Sequence, residues 1–184
     1  MKEALVARAV YNRNSDIKLV EFIRTLPEDK IAKPRGGCIA GHVQADISLK
    51  DLLGHMALGG VFLYQLLHSK GIQADYDQAL LKMPVRSMRP SPTMSLDGII
   101  DLLQSFDHAL VKFAETIDLS SLDVTDFKPY NEARGPGALG YGAMTWLEHT
   151  YSHQIHHRGQ ISQILSELGV GYDLSQFRIY AFES

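Results

Sequence analysis

The stretch HTYSHQIHHRGQ, residues 149–160, places four of the chain's eight histidines on one predicted helix. Successive residues of an α-helix advance by about 100°, and the apolar residues of this segment mark the direction of the core. By that count His153 and His157 lie within about 60° of the centre of the apolar face, whereas His149 and His156 lie roughly 100° and 120° from it. The stretch therefore predicts an amphipathic helix with two inward histidines one turn apart and two on its flank.

A third inward histidine is predicted on an earlier helix. When His55 is set at zero, its apolar neighbours such as Leu52 and Leu63 fall between about +20° and +80°. His55 therefore points inward at the edge of that apolar stripe. By the same count His68 and His108 point away from the stripes of their own helices, which predicts solvated side chains.

Four segments show helical periodicity, with no strand-like alternation of comparable length, so we expect an all-α four-helix bundle. Ser48, followed by Asp51, and Ser95 are N-cap signals, and Gly169 is a C-cap signal. The predicted helices cover about residues 2–26, Ser48 to about Ser69 or Gly71, Ser95 through Ile117, and about Ala138 to Leu168.

Two connections are longer than the roughly two to eight residues that are usual in a bundle. Residues 71–94 and 119–137 could form walls of a site, and ordinary surface loops explain them equally well. With 184 residues, of which 45% are hydrophobic, the chain is expected to form a single domain over residues 1–184.

Composition limits the classes of function. Lys and Arg total 18 against 21 acidic residues, and the net charge of −3 offers no basic surface for nucleic acid or anionic lipid. No apolar run is long enough to cross a membrane and no signal-peptide core is present, so we expect a cytoplasmic protein that binds neither nucleic acid nor membrane. Cys38 is the only cysteine, which excludes an internal disulfide and a thiolate-rich metal site, and we expect it to be a packing residue.

The three inward histidines have the arrangement that a metal ion needs. An i, i+4 pair such as His153 and His157 faces one way, and His55 on a facing helix completes three ligands of an open coordination shell. Packing three unpaired imidazoles into an apolar bundle costs free energy that one shared cation offsets. Taken singly, each histidine is also explained as a satisfied core residue, so a bundle without metal is the alternative.

Other metalloenzyme patterns do not match. A di-iron bundle needs Glu-x-x-His pairs, and none of the histidines has Glu three residues before it. The segment from His149 to His153 reads HTYSH and lacks the Glu of a zincin helix.

Three segments carry a resemblance to a known family. They are VYNRNSDIKLVEFIRTLPED at 10–29, SLKDLLGHMALGGVFLYQLL at 48–67 and HTYSHQIHHRGQISQILSELGV at 149–170, followed by a tail from Asp173 to Tyr180. With these segments the chain resembles the DinB/YfiT-like superfamily of metal-binding four-helix bundles. The H-x-x-x-H-R-G-Q core is the specific part of the resemblance.

The resemblance implies a ligand set, a cofactor and an activity. The family's histidines fall on His55, His153 and His157, the three that the helix geometry selects independently. The implied cofactor is a divalent metal, zinc or nickel first, with iron or manganese as alternatives, and homodimers are frequent. Members of known activity are transferases and isomerases that use bacillithiol, mycothiol or glutathione-like thiols.

We therefore expect a metal-dependent transferase or isomerase that activates a small-molecule thiol or water for reaction with an electrophile. A non-catalytic metal-binding or small-molecule-binding bundle is the alternative. His149 could act from outside the ligand shell, and Gln160, near −20°, could orient a ligand or a substrate, and an ordinary surface glutamine explains it equally well.

Other polar side chains are candidates for contacts around this site. Tyr130, Asn131 and Arg134 could contact an anionic substrate, with ordinary loop polarity as the simpler explanation. Arg158 projects near +140° and is expected to pair with a carboxylate or a helix end.

A second apolar strip on the back of the same helix, formed by Met144, Tyr151 and Ile155, suggests a homodimer surface. Packing under residues 71–94 is the alternative for this strip.

Overall fold

The computed structural model describes residues 1–39, 42–123 and 142–170. It is an all-α bundle of four long helices with short elements between them, as expected from the periodicity. The helices are α1 Lys2–Ile23, α2 Glu28–Ala32, α3 Leu49–Ser69, α4 Gln78–Lys82, α5 Leu96–Thr116 and α6 Ala143–Glu167, with a 3₁₀ turn at Leu119–Asp123. Strands β1 Gly37–Ile39 and β2 His42–Gln44 form an antiparallel hairpin.

The helix ends follow the predicted local signals. Ser48 Oγ accepts a hydrogen bond from the Asp51 N–H at 3.1 Å while the Asp51 carboxylate accepts one from the Ser48 N–H at 3.0 Å, a complete capping box. Ser95 Oγ accepts from the Gly98 N–H and starts α5. Gly169, at φ +77°, follows α6 in the left-handed conformation that terminates helices.

Several predicted boundaries were wrong or fall outside the described residues. α1 ends at Ile23, three residues before the predicted end, because the next turn leads into the short helix α2, whose N-cap is Pro27. The connection 71–94 contains α4, whose N-cap Asp77 accepts from two backbone N–H groups. The hairpin was missed because three-residue strands are too short to show alternation. The predicted start of the last helix, at about Ala138, and the predicted packing role of the Cys38 side chain fall outside the described part of the chain.

The helices pack around two apolar clusters. One joins the first half of α1 to the second halves of α3 and α5, and the other joins the opposite halves. α1 packs mainly on α5, and α3 packs on both α5 and α6, whereas α1 and α6 touch less extensively. On α6, His153 and His157 lie between residues of the two clusters, so they occupy the middle of the bundle rather than an end.

The second apolar strip of α6 is largely explained by packing inside the chain. Tyr151 is 3% exposed and its hydroxyl donates to the Leu5 carbonyl of α1 at 3.3 Å. Met144 packs on the same apolar cluster, and only Ile155, at 51%, is well exposed. The packing partner of Tyr151 is α1 rather than the segment 71–94.

No helix among the described residues is sufficiently long and apolar to span a membrane.

Candidate metal centre

Three histidines from two helices meet in the middle of the bundle. His55 of α3 and His153 and His157 of α6 have ring centroids 4.5 to 4.8 Å apart. Their nearest ring nitrogens all lie within 4.8 Å of one another, and the group could hold a metal ion. The structure thus brings together the three histidines that the helix geometry selected. His55 and His157 are buried, and His153 is half-buried.

Two of the rings are oriented by hydrogen bonds on their far sides. His55 Nδ1 donates to the Met88 carbonyl oxygen at 2.7 Å, and His157 Nδ1 donates to Gln160 Oε1 at 2.8 Å. An imidazole that carries its proton on Nδ1 has a lone pair on Nε2, which is the form that binds a metal. Gln160, predicted as a ligand-orienting residue, therefore acts on His157 itself.

The third ring fits only because the facing helix has no side chain there. A Cβ on Gly59 of α3 would lie 2.8 Å from His153 Cε1, well inside van der Waals contact. His153 Nε2 lies 3.0 Å from His55 Nε2. Two nitrogens bound to one tetrahedral zinc ion lie about 3.3 Å apart, so this spacing suits two ligands of one ion.

Segment 83–90 is part of the centre, which supports the expectation that the long connection forms a wall. Arg89 donates to the Asp51 carboxylate at 3.0 Å and to the Asp46 carboxylate at 2.7 Å. Pro90 packs against Gly54, where a Cβ would lie 2.5 Å from the proline ring. These contacts hold the backbone of residues 88–90 against α3, where the Met88 carbonyl oxygen accepts the hydrogen bond from His55.

Burial keeps all three imidazoles neutral near pH 7. Desolvation lowers the pKa of His153 to about 2, with further lowering from His157 and His55. Desolvation, and then the neighbouring His55, lowers the pKa of His157 to about 4. Burial also lowers the pKa of His55. Neutral imidazoles suit borderline divalent ions such as zinc and nickel better than calcium or magnesium, so the donor set fits the expected metals.

The remaining predicted site residues divide into two groups. His149 and His156 are exposed and flank the cluster, with ring centroids 5.8 Å from His153 and 4.8 Å from His157, respectively. This agrees with their predicted flank positions. Tyr130, Asn131 and Arg134 lie outside the described residues.

Sequence reasoning missed a buried polar cluster on the other side of α6. Arg158, 2% exposed, donates to Asp16 Oδ1 at 2.9 Å and to Asn12 Oδ1 at 2.7 Å, so its predicted pairing with a carboxylate is correct. Asn12 Nδ2 in turn donates to Asp107 Oδ1 at 3.0 Å. The spacing of Asn12 and Asp16 on the apolar face of α1, four residues apart, is the signal that could have found it.

The cluster carries an excess of acid. Burial and the negative charge of Asp16 raise the pKa of Asp107 well above its usual range. Burial raises the pKa of Asp16 as well, opposed by the charge of Arg158. The surroundings of Asp107 therefore favour its protonated form beside the Asp16–Arg158 pair.

Fold and site together define an all-α bundle with a three-histidine centre that could bind metal. The DinB family model matches residues 1–180. The chain therefore belongs to the DinB family. Comparison with curated proteins and with solved structures finds no further match.

Proposed function

We propose that this chain is a metal-dependent transferase or isomerase in which His55, His153 and His157 hold one divalent ion, zinc or nickel. The observation that carries the proposal is the convergence of three neutral imidazoles, two of which have Nδ1 tied to an acceptor outside the cluster. A divalent ion bound there lowers the pKa of a small-molecule thiol or of water and so supplies a nucleophile at neutral pH.

The chain's own residues supply orientation and an open side. The Met88 carbonyl and Gln160 fix the tautomers of His55 and His157. These two rings therefore lose no free energy in changing tautomer when a metal ion binds. Three protein ligands leave coordination positions for a small molecule.

The proposal extends to assembly and location. As the family resemblance implies, we propose a homodimer that acts on a thiol and an electrophile in the cytoplasm. A monomeric mass in solution at micromolar concentration would contradict the dimer without touching the metal centre.

Metal analysis of protein purified without a His-tag tests the centre directly. We expect one zinc or nickel ion per chain, lost in His55→Ala, His153→Ala and His157→Ala. The matched control is His108→Ala, since His108 is exposed on α5 and lies outside the cluster. Protein that does not take up zinc, nickel, iron or manganese stoichiometrically would overturn the proposal.

Turnover tests the activity separately from the metal. A panel of thiols paired with electrophiles is expected to give a reaction that disappears in His153→Ala while the helical content persists. Stoichiometric metal with no turnover across the panel would favour the alternative, a non-catalytic metal-binding or small-molecule-binding bundle.

A further inference from the structure

The hydrogen bond that orients His55 is made by one peptide unit, the one that joins Met88 to Arg89. Its carbonyl oxygen accepts from His55 Nδ1 at 2.7 Å, and its N–H donates to Ser87 Oγ at 3.0 Å. A trans peptide unit is planar, so its C=O and N–H turn together when the backbone on either side rotates. The direction of the Met88 carbonyl therefore depends on the contacts that hold Arg89.

The guanidinium of Arg89 is held by two aspartates. Its Nε and Nη2 donate to the two carboxylate oxygens of Asp51, at 3.0 and 3.2 Å. Its Nη1 donates to Asp46 Oδ2 at 2.7 Å, and Nη2 also reaches the Asp46 carbonyl oxygen at 3.1 Å. A bidentate arginine–carboxylate contact fixes geometry as well as charge. Arg89 therefore has a defined position relative to α3, the helix that carries Asp51.

Asp51 is itself fixed by the capping box at the start of α3. Its Oδ2 accepts from the Ser48 N–H at 3.0 Å and from Ser48 Oγ at 2.6 Å. Its side chain is 17% exposed, against 65% for Asp46, so water screens the Asp51–Arg89 pair less than the Asp46–Arg89 pair. Asp51 lies four residues before His55, on the same face of the helix. One helix thus carries both the ring and the carboxylate that holds the orienting peptide unit.

We propose that Arg89 is a positioning residue of the metal centre. Bound to Asp51, it holds the Met88–Arg89 peptide plane with the carbonyl toward His55. This keeps the proton of His55 on Nδ1 and the lone pair of Nε2 available to the metal ion. The inference rests on the proposed function, because it gives a residue that acts only through Met88 control over the metal affinity of that centre.

The zinc affinity of folded variants, measured by competition with a chromophoric chelator, is the first test. In Arg89→Gln both ion pairs are lost, and we expect the affinity to fall about tenfold, as when a group that orients a metal ligand is removed. Arg86→Gln is the matched control, because it removes the same charge from an exposed arginine three residues earlier, and it should bind zinc like the unaltered protein. Arg89→Lys keeps the charge but not the bidentate contact, so its loss should be smaller.

The ring nitrogens of His55 give a second readout, which a merely structural role of Arg89 would not change. NMR of isotope-labelled histidine in the metal-free protein shows which ring nitrogen carries the proton. In Arg89→Gln we expect the share of His55 rings protonated on Nδ1 to fall. His157, which Gln160 orients, should keep its tautomer in the same variant. In Gln160→Leu the pattern should be reversed, with His157 changed and His55 retained.

The outcomes separate this inference from the proposed function. Zinc affinity and a His55 tautomer in Arg89→Gln equal to those of Arg86→Gln overturn the role of Arg89. Weaker zinc binding with an unchanged His55 tautomer overturns it too, because the effect would not pass through that ring. If Arg89→Gln does not fold, Arg89→Lys is judged by the same two measurements. Protein that takes up no zinc defeats the proposed function, whereas the His55 tautomer of the metal-free protein still shows whether Arg89 orients the ring.

Discussion

Gln160 Oε1 accepts a hydrogen bond from His157 Nδ1 at 2.8 Å, one turn further along the same helix. Glutamine is the residue that turns the lone pair of His157 Nε2 toward the cluster. Gln160 is close in sequence to the histidine that it orients, whereas the centre also includes His55 of α3.

Removal of this acceptor should weaken metal binding without unfolding the chain. In Gln160→Leu the His157 ring loses its orienting partner, and we expect zinc affinity to fall by about 10- to 100-fold. Competition with a chromophoric chelator measures the change. Gln78→Leu, on an exposed position of α4, is the control and should bind zinc like the unaltered protein. Unchanged affinity in Gln160→Leu would show that His157 is held by other contacts.

Gly59→Ala should damage the centre through crowding. The new methyl group would lie 2.8 Å from His153 Cε1, so the ring must move away from His55. We expect a loss of metal content and about 1–3 kcal/mol of destabilisation, measured by metal analysis and urea unfolding. The same substitution at Gly159 meets no described atom and should retain the metal. Full metal content in Gly59→Ala would contradict the close approach of α3 and α6.

Asp16→Asn should be strongly destabilising. Arg158 is 2% exposed and would lose the carboxylate that it contacts at 2.9 Å; breaking a buried ion pair costs up to about 3–5 kcal/mol when no other carboxylate replaces the partner. Chemical denaturation measures the free energy of unfolding. Asp97→Asn, whose side chain is 82% exposed, is the control and should change stability little. A loss as small as that of the control would mean that Arg158 finds another acceptor.

Asp107→Asn should raise the free energy of unfolding at neutral pH, the opposite of the effect expected for Asp16→Asn. The pKa of Asp107 is raised in the folded chain by burial and by Asp16. The folded chain therefore holds the Asp107 proton more tightly than the unfolded chain does. This stabilises the fold at pH values below the pKa of the unfolded carboxyl group, and the stabilisation is lost as pH rises toward the pKa of Asp107 in the folded chain. The neutral amide removes this loss, and Asn12 can still donate to its oxygen. We therefore expect the variant to gain stability over the unaltered protein as pH rises above about 4, where the carboxyl group of the unfolded chain ionises. A pH-independent difference would contradict a protonated Asp107.

Much of the fold followed from local patterns. The capping box of Ser48 and Asp51, the N-cap Ser95 and the terminal Gly169 involve residues close together along the chain, so their signals are visible without a structure. The inward direction of His55, His153 and His157 followed from helical periodicity for the same reason. The end of α1 was predicted three residues too late because Pro27 forbids a continued helix but does not say where the last turn ends.

The three histidines of the candidate site could be predicted from the sequence, but the groups that orient and accommodate their rings could not. The Met88 carbonyl reaches His55 across 33 positions, and nothing in a backbone carbonyl distinguishes it in a sequence. The fit of His153 against Gly59 depends on how closely α3 and α6 approach, which side-chain periodicity does not measure.

The sequence by itself determined the class of the protein: four amphipathic helices, three inward histidines and the motif of the DinB family. These features rest on the 3.6-residue repeat and on caps, which act over a few positions. Only the tertiary structure decided that the three rings lie together, that the Met88 carbonyl and Gln160 orient two of them, and that Arg158 pairs with Asp16. Those outcomes depend on the distance and rotation between helices, which are set by packing between residues far apart in the chain.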